Sequence, residues 1–170
     1  MATNIGNWFE NGNKVLDRTQ NLNSSGVQTG VNIFPSGIGH ASASAAGWVV
    51  DGFAALPASK TAAAVIIPIH ASVGDTIESY KVIGQIDSAG GAATLDAVLY
   101  RVTEAVGGFT STNIGAITQV SATADTLVGS SKTLATPEVV ALGASYFVSV
   151  TGTTAASTDI EVISIEVTIV

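Results

Sequence analysis

Residues 95–102 read Leu-Asp-Ala-Val-Leu-Tyr-Arg-Val. Taken with a period of two, Leu95, Ala97, Leu99 and Arg101 fall on one side, and Asp96, Val98, Tyr100 and Val102 on the other. Both sides are largely apolar, which marks a central strand covered on both faces, or one whose second face meets a partner chain. The stretch Ile160–Val170 gives a cleaner alternation. It sets Ile163, Ile165, Val167 and Ile169 against Ser164, Glu166 and Thr168. Every apolar segment between Ala62 and Val170 can be packed with these two as a strand.

Working back from the central stretch, Thr76–Asp87 reads as a long strand, with Tyr80, Val82 and Ile86 on one side and Gly84 between them. Thr61–His70 is another, and Pro68 within it predicts an edge position or a bulge. Trp48–Leu56 is a first strand ended by Pro57. Working forward, Ala105–Thr112 reads as a loop that offers Phe109 to solvent, and Ile114–Val120 as a short strand. Ser130–Lys132 begins a polar crossing. Thr136-Pro137 is a helix-start pattern, although Gly143 stops any helix within two turns. Ser145–Thr151 is a strand, with Tyr146, Val148 and Val150 on one face. About eight strands separated by Gly-rich turns, with almost no helical period, predict an all-β antiparallel sandwich of jelly-roll type, with a barrel closed on itself as the nearest competitor.

Residues 1–45 differ from this body. They are rich in Asn and Gly, and their apolar residues are scattered, with Trp8, Phe9 and Phe34 the largest. Aromatic side chains are costly to leave in water, at about 25 cal/mol per Å². The stretch therefore reads as an extended arm and linker, packed on its own sandwich or on a neighbouring subunit. The division is an arm over 1–45 and a sandwich domain over 46–170.

Composition narrows the function classes. Of 170 residues only 11% are charged, below the roughly 25% usual in soluble domains. A surface this poor in charge is weakly protected against association and suits a chain covered by partners. The net charge is -7, and the six cations are isolated in sequence, which argues against a nucleic-acid surface. With no cysteine there are no disulfides or thiolate sites. No stretch has the length and hydrophobicity of a membrane span, and the first residues lack the pattern of a secretory signal.

Chemistry-bearing constellations are weak. His40 and His70 supply too few ligands for a metal. Asp75 and Glu78, with Asp51 or Asp87, lack the alternating oxygen pattern of a calcium loop and read better as turn residues. Neither Ser72, His70 and Asp75 nor the pairs Asp96/Glu104 and Glu161/Glu166 make a convincing catalytic set, so no enzyme activity and no cofactor are expected. Arg101, set among apolar neighbours, needs a carboxylate, and Glu104, Glu161 and Glu166 are the candidates.

The order of motifs then carries a resemblance. Val73-Gly74-Asp75-Thr76-Ile77 precedes the 95–102 strand, Leu142–Gly152 contains Gly143-Ala144-Ser145-Tyr146-Phe147, and Ile165-Glu166-Val167-Thr168 closes the series. The series resembles the small jelly-roll-like domains of tailed-bacteriophage virion proteins, found in capsid decoration proteins, tail appendages and fibre-attached modules. The resemblance implies a virion component that adheres to a repetitive protein surface. The small single domain, the low charge content, the acidic balance and the apolar-studded arm, which lies outside the match, add the expectation of a capsid decoration protein on the outer surface of the head, bound to the major capsid protein lattice as a small oligomer, a homotrimer. Trp8, Phe9 and Phe34 would be its interface anchors. A tail-fibre or baseplate module is the alternative, with Phe109 in a ligand loop that meets host glycan or another tail protein. A single jelly roll serving as the coat itself is a third expectation.

Overall fold

The computed structural model describes residues 31–33, 47–50 and 53–170. Among these there is no helix, and the eleven strand segments form two antiparallel sheets. The chain runs β1 (Val31–Ile33), β2 (Val49–Val50), β3 (Ala54–Leu56), β4 (Lys60–Ile69), β5 (Thr76–Ser88) and β6 (Ala93–Ala105). It continues with β7 (Gly108–Ala116), β8 (Val120–Ala122), β9 (Thr126–Val139), β10 (Ala144–Thr154) and β11 (Thr158–Ile169). Sheet I has the order β2-β3-β11-β5-β9, with β1 also on β11; sheet II has the order β4-β10-β6-β7, with β8 also on β6.

This order follows from a single ribbon. The β6–β7 hairpin is its tip, and behind it β5 pairs β9, β4 pairs β10 and β3 pairs β11. Rolling the ribbon adds the pairs β11–β5 and β10–β6 and closes the sandwich. Eight strands in this arrangement are a jelly roll, as the spacing of strands and turns predicted. Pro68 sits in β4, an edge strand, as a residue without a backbone N–H must.

The core lies between the sheets, where Leu56, Val65, Ile67, Tyr80, Val82, Leu95, Leu99, Val148, Val150, Ile160, Ile165 and Val167 are fully buried. Each contributes roughly 1.5–3 kcal/mol by leaving water. Tyr80 crosses from sheet I to sheet II, its hydroxyl 2.8 Å from the Ala97 carbonyl and 3.0 Å from that of Gly115. Burial pushes this phenol up to about 12.

Several local expectations are corrected. Ile163 is on the outside of the sandwich, 43% exposed, because a bulge between Val162 and Ser164 shifts the alternation of β11 by one residue. Ile160 and Val162 therefore share the inner face with Ile165, Val167 and Ile169. Gly84 lies opposite the bulge, where the Glu161 carbonyl oxygen occupies the space a Cβ would take. Thr136-Pro137 starts no helix and lies in β9. Between Ile77–Glu138 and Ser79–Thr133 the register slips, so Pro137 stands in a bulge of an edge strand that needs no N–H from it. Ser130–Lys132 also belongs to β9 and is no crossing, and Ala105–Thr112 is mostly the β6–β7 hairpin. The first strand is divided into β2 and β3.

Candidate interaction surface

The two outer faces of the sandwich differ in chemistry. On sheet I the outward rows pair Asp159 with Asp87, Glu161 with Gln85 and Leu127, Glu166 with Lys81, and Thr168 with Ser79. Gln85 donates to Glu161 at 2.8 Å, and Lys81 lies 3.7 Å from Glu166. At one end of this face Asp87 meets Asp125, whose carboxylate also accepts the Ser88 backbone N–H at 2.9 Å. The hydrogen bond to Asp125 and the nearby charges of Asp125, Asp159 and Glu161 raise Asp87 from its ordinary value. A shallow hollow of about 210 Å³ opens here, lined by Gln85, Ile86, Asp87, Asp125, Thr126 and Leu127. It is smaller than the roughly 300 Å³ at which small-molecule pockets begin. Among the described residues no group of three or more His, Asp or Glu is placed to hold a metal ion.

On sheet II the two central outward rows are largely apolar. Pro68, Phe147, Tyr100 and Asn113 form one row, and Ile66, Ser149, Val98 and Ala116 the next. Tyr100 stacks on Phe147 with ring centroids 5.4 Å apart and planes inclined by 26°. Beyond these rows lie Val102 on one side and Ala64, Thr151 and Asp96 on the other. Asp96 accepts from Gln119 at 2.7 Å.

A third surface is the end of the sandwich where β4 meets β5, β6 meets β7, β9 meets β10, and β11 finishes. Val73, Val106, Phe109, Val139, Leu142 and Val170 are all exposed there, Leu142 by 87%. The loops carrying them are held together. Gly74 donates to the Val140 carbonyl at 2.9 Å and Val140 to that of Asp75 at 2.8 Å. Val170 and Thr76 exchange backbone bonds at 2.9 and 2.7 Å. Asp75 Oδ2 accepts the Ser72 N–H at 2.8 Å, which makes it a turn residue. Beneath this end Arg101 reaches across the sandwich to Glu138, at 2.9 Å, so its partner is none of Glu104, Glu161 and Glu166. Tyr146 donates to the same Glu138 oxygen at 2.9 Å. Burial, followed by the Glu138 bond, pushes the Tyr146 phenol upward.

Phe109 is the second residue of β7 and is 77% exposed, on a hairpin that turns through Gly107 at φ +88° and extends past the first residue of β10. Trp8, Phe9, Phe34 and His40, with the rest of the arm apart from Val31–Ile33, lie outside the described residues. Val31–Ile33 pairs with Ile165–Val167 of β11. Sequence reasoning missed the apolar end, since Val73, Val106, Val139 and Leu142 lie far apart in sequence and only the ribbon topology gathers them. No protein-family model and no curated protein sequence matches the chain.

Proposed function

We propose that this chain is a structural virion protein, a capsid decoration protein that docks on the outer surface of a phage head lattice as a small symmetric oligomer and stabilises it. The observation that carries the reading is the apolar end of the sandwich: exposed Val73, Val139, Leu142 and Val170 on loops fixed to one another by backbone bonds, in a chain of net charge -7. Exposed apolar groups grouped on a rigid end favour contact with another protein surface. The jelly-roll order agrees with the resemblance to virion domains, and the low charge content suits a molecule used at high local density. In this reading the arm, with Trp8, Phe9 and Phe34, adds contacts to the lattice.

The test is cryo-electron microscopy of virions that contain the protein, with copy number from quantitative mass spectrometry. Many copies at regular points of the outer head are expected, and Leu142→Asp with Val73→Asp removes them while the purified variant keeps its thermal midpoint. A few copies at the tail overturn the reading. That result favours a tail-fibre or baseplate module, for which the protruding, 77% exposed Phe109 is the specific support. Glycan or host-cell binding lost on Phe109→Ala would then be the corresponding signature.

A further inference from the structure

We infer that the outer face of sheet II is where one copy of this chain packs against a second copy. Its centre is the two rows Ile66, Ser149, Val98 and Pro68, Phe147, Tyr100. A solvated sheet face alternates polar residues outward. Here the outward positions of the two innermost strands include Val98, Tyr100, Val102 and Phe147. They are partly buried within the sheet, and no other strand of the described residues is paired over them.

The choice of occupant follows from charge. This face carries Asp96 at its rim, held by Gln119, and Glu104 out on the hairpin, and it presents no Lys or Arg. It has nothing to recognise an acidic partner and almost nothing for a basic one. Two copies of net charge -7 repel each other, and the sheet I face, with Asp87, Asp159, Glu161 and Glu166, would add to that repulsion. The sheet II face lets two copies approach without bringing carboxylates together at its centre. Interfaces between identical chains are also the more apolar class. Four strands at about 4.8 Å and some seven residues at about 3.3 Å give a footprint of roughly 440 Å² per copy. That is near the low end for specific association, so binding is sought at micromolar concentration and above.

The inference rests on the assembly reading above only in taking the chain to self-associate, and its test is separate. The full-length protein is sedimented across a micromolar dilution series. An oligomer is expected, and Ser149→Arg weakens it by about 100-fold or more, because the new guanidinium would be buried without a partner. Ser149 is partly buried, on the outer face and away from the core, so the change leaves the core intact, which an unaltered thermal midpoint of the dilute variant verifies. Leu127→Arg on the other sheet leaves association unchanged. A monomer throughout the series, as when the face is covered by the chain's own residues 1–30 or by a different protein, overturns the inference. So does an oligomer indifferent to Ser149→Arg. Virion binding retained by a monomeric Ser149→Arg protein would separate this surface from the capsid contact.

Discussion

Gly84→Ala is the substitution that most directly interrogates how β11 is built. The bulge at Ile163 brings the Glu161 carbonyl toward β5, and a Cβ on residue 84 would meet that oxygen, with the carbonyl carbon at 3.1 Å and the Val162 Cα at 3.2 Å. All three are backbone atoms of a central ladder, so no side chain can swing aside. Relief requires β11 to move away from β5. That strains the packing by about 1–3 kcal/mol and weakens one or two hydrogen bonds of about 1 kcal/mol each. A loss near 3 kcal/mol is expected, or a fall in thermal midpoint of roughly 6–12 °C for a chain of this size. Gly129→Ala is the matched control. It lies in β9 on the other side of β5, opposite Ile83, and its Cβ would meet only the Lys81 Cε at an ordinary 3.7 Å. There the lost backbone freedom of the unfolded chain stabilises by about 0.4–1 kcal/mol. Urea titrations followed by far-ultraviolet circular dichroism measure both. A Gly84→Ala protein within about 0.5 kcal/mol of the parent would refute the close approach at the bulge.

Two further outcomes concern titratable groups. Tyr80→Phe removes the hydroxyl that bridges the sheets to Ala97 and Gly115, at a cost of about 1–2 kcal/mol by urea titration. Because the folded phenol sits at about 12 against an ordinary 10.0, its contribution is complete below the ordinary value and is lost as pH rises through the folded one. The alkaline fall in stability over that window is therefore shallower in Tyr80→Phe. Asp87 is also raised by its neighbours, so the stability it contributes is present in acid and lost as pH climbs through its folded value. Asp87→Asn accordingly raises the thermal midpoint at neutral pH and leaves it unchanged below the carboxylate range, and a drop at neutral pH would contradict the repulsion with Asp125 and Asp159.

The sequence made the strands of the body legible where one face is buried and the other polar, as in Thr76–Asp87. It failed at positions decided by a partner strand. Ile163 fits a perfect alternation, and only the pairing with β5 places the slip there. Thr136-Pro137 is a sound helix start in isolation, overridden because the flanking residues pair with β5. Arg101 finds Glu138 on the opposite sheet, a contact that depends on how the ribbon rolls. The apolar second face of 95–102 was visible from the start, since alternation alone exposes Val98, Tyr100 and Val102. That those residues adjoin Ile66, Pro68 and Phe147 required the register.

The ribbon order also constrains when the protein can fold. Contacts at the tip join residues close in sequence, such as Ala105 with Gly108, whereas those at its base join Leu56 with Ile160. Closing the longer loops costs more entropy, which favours zipping outward from the β6–β7 turn. Yet β11, which follows the other ten described strands in chain order, fills the middle of sheet I between β3 and β5. On the ribosome, β5 would therefore wait with one edge unpaired until β11 emerges. A nascent chain stalled before Thr158 should be captured by chaperones that a full-length chain escapes.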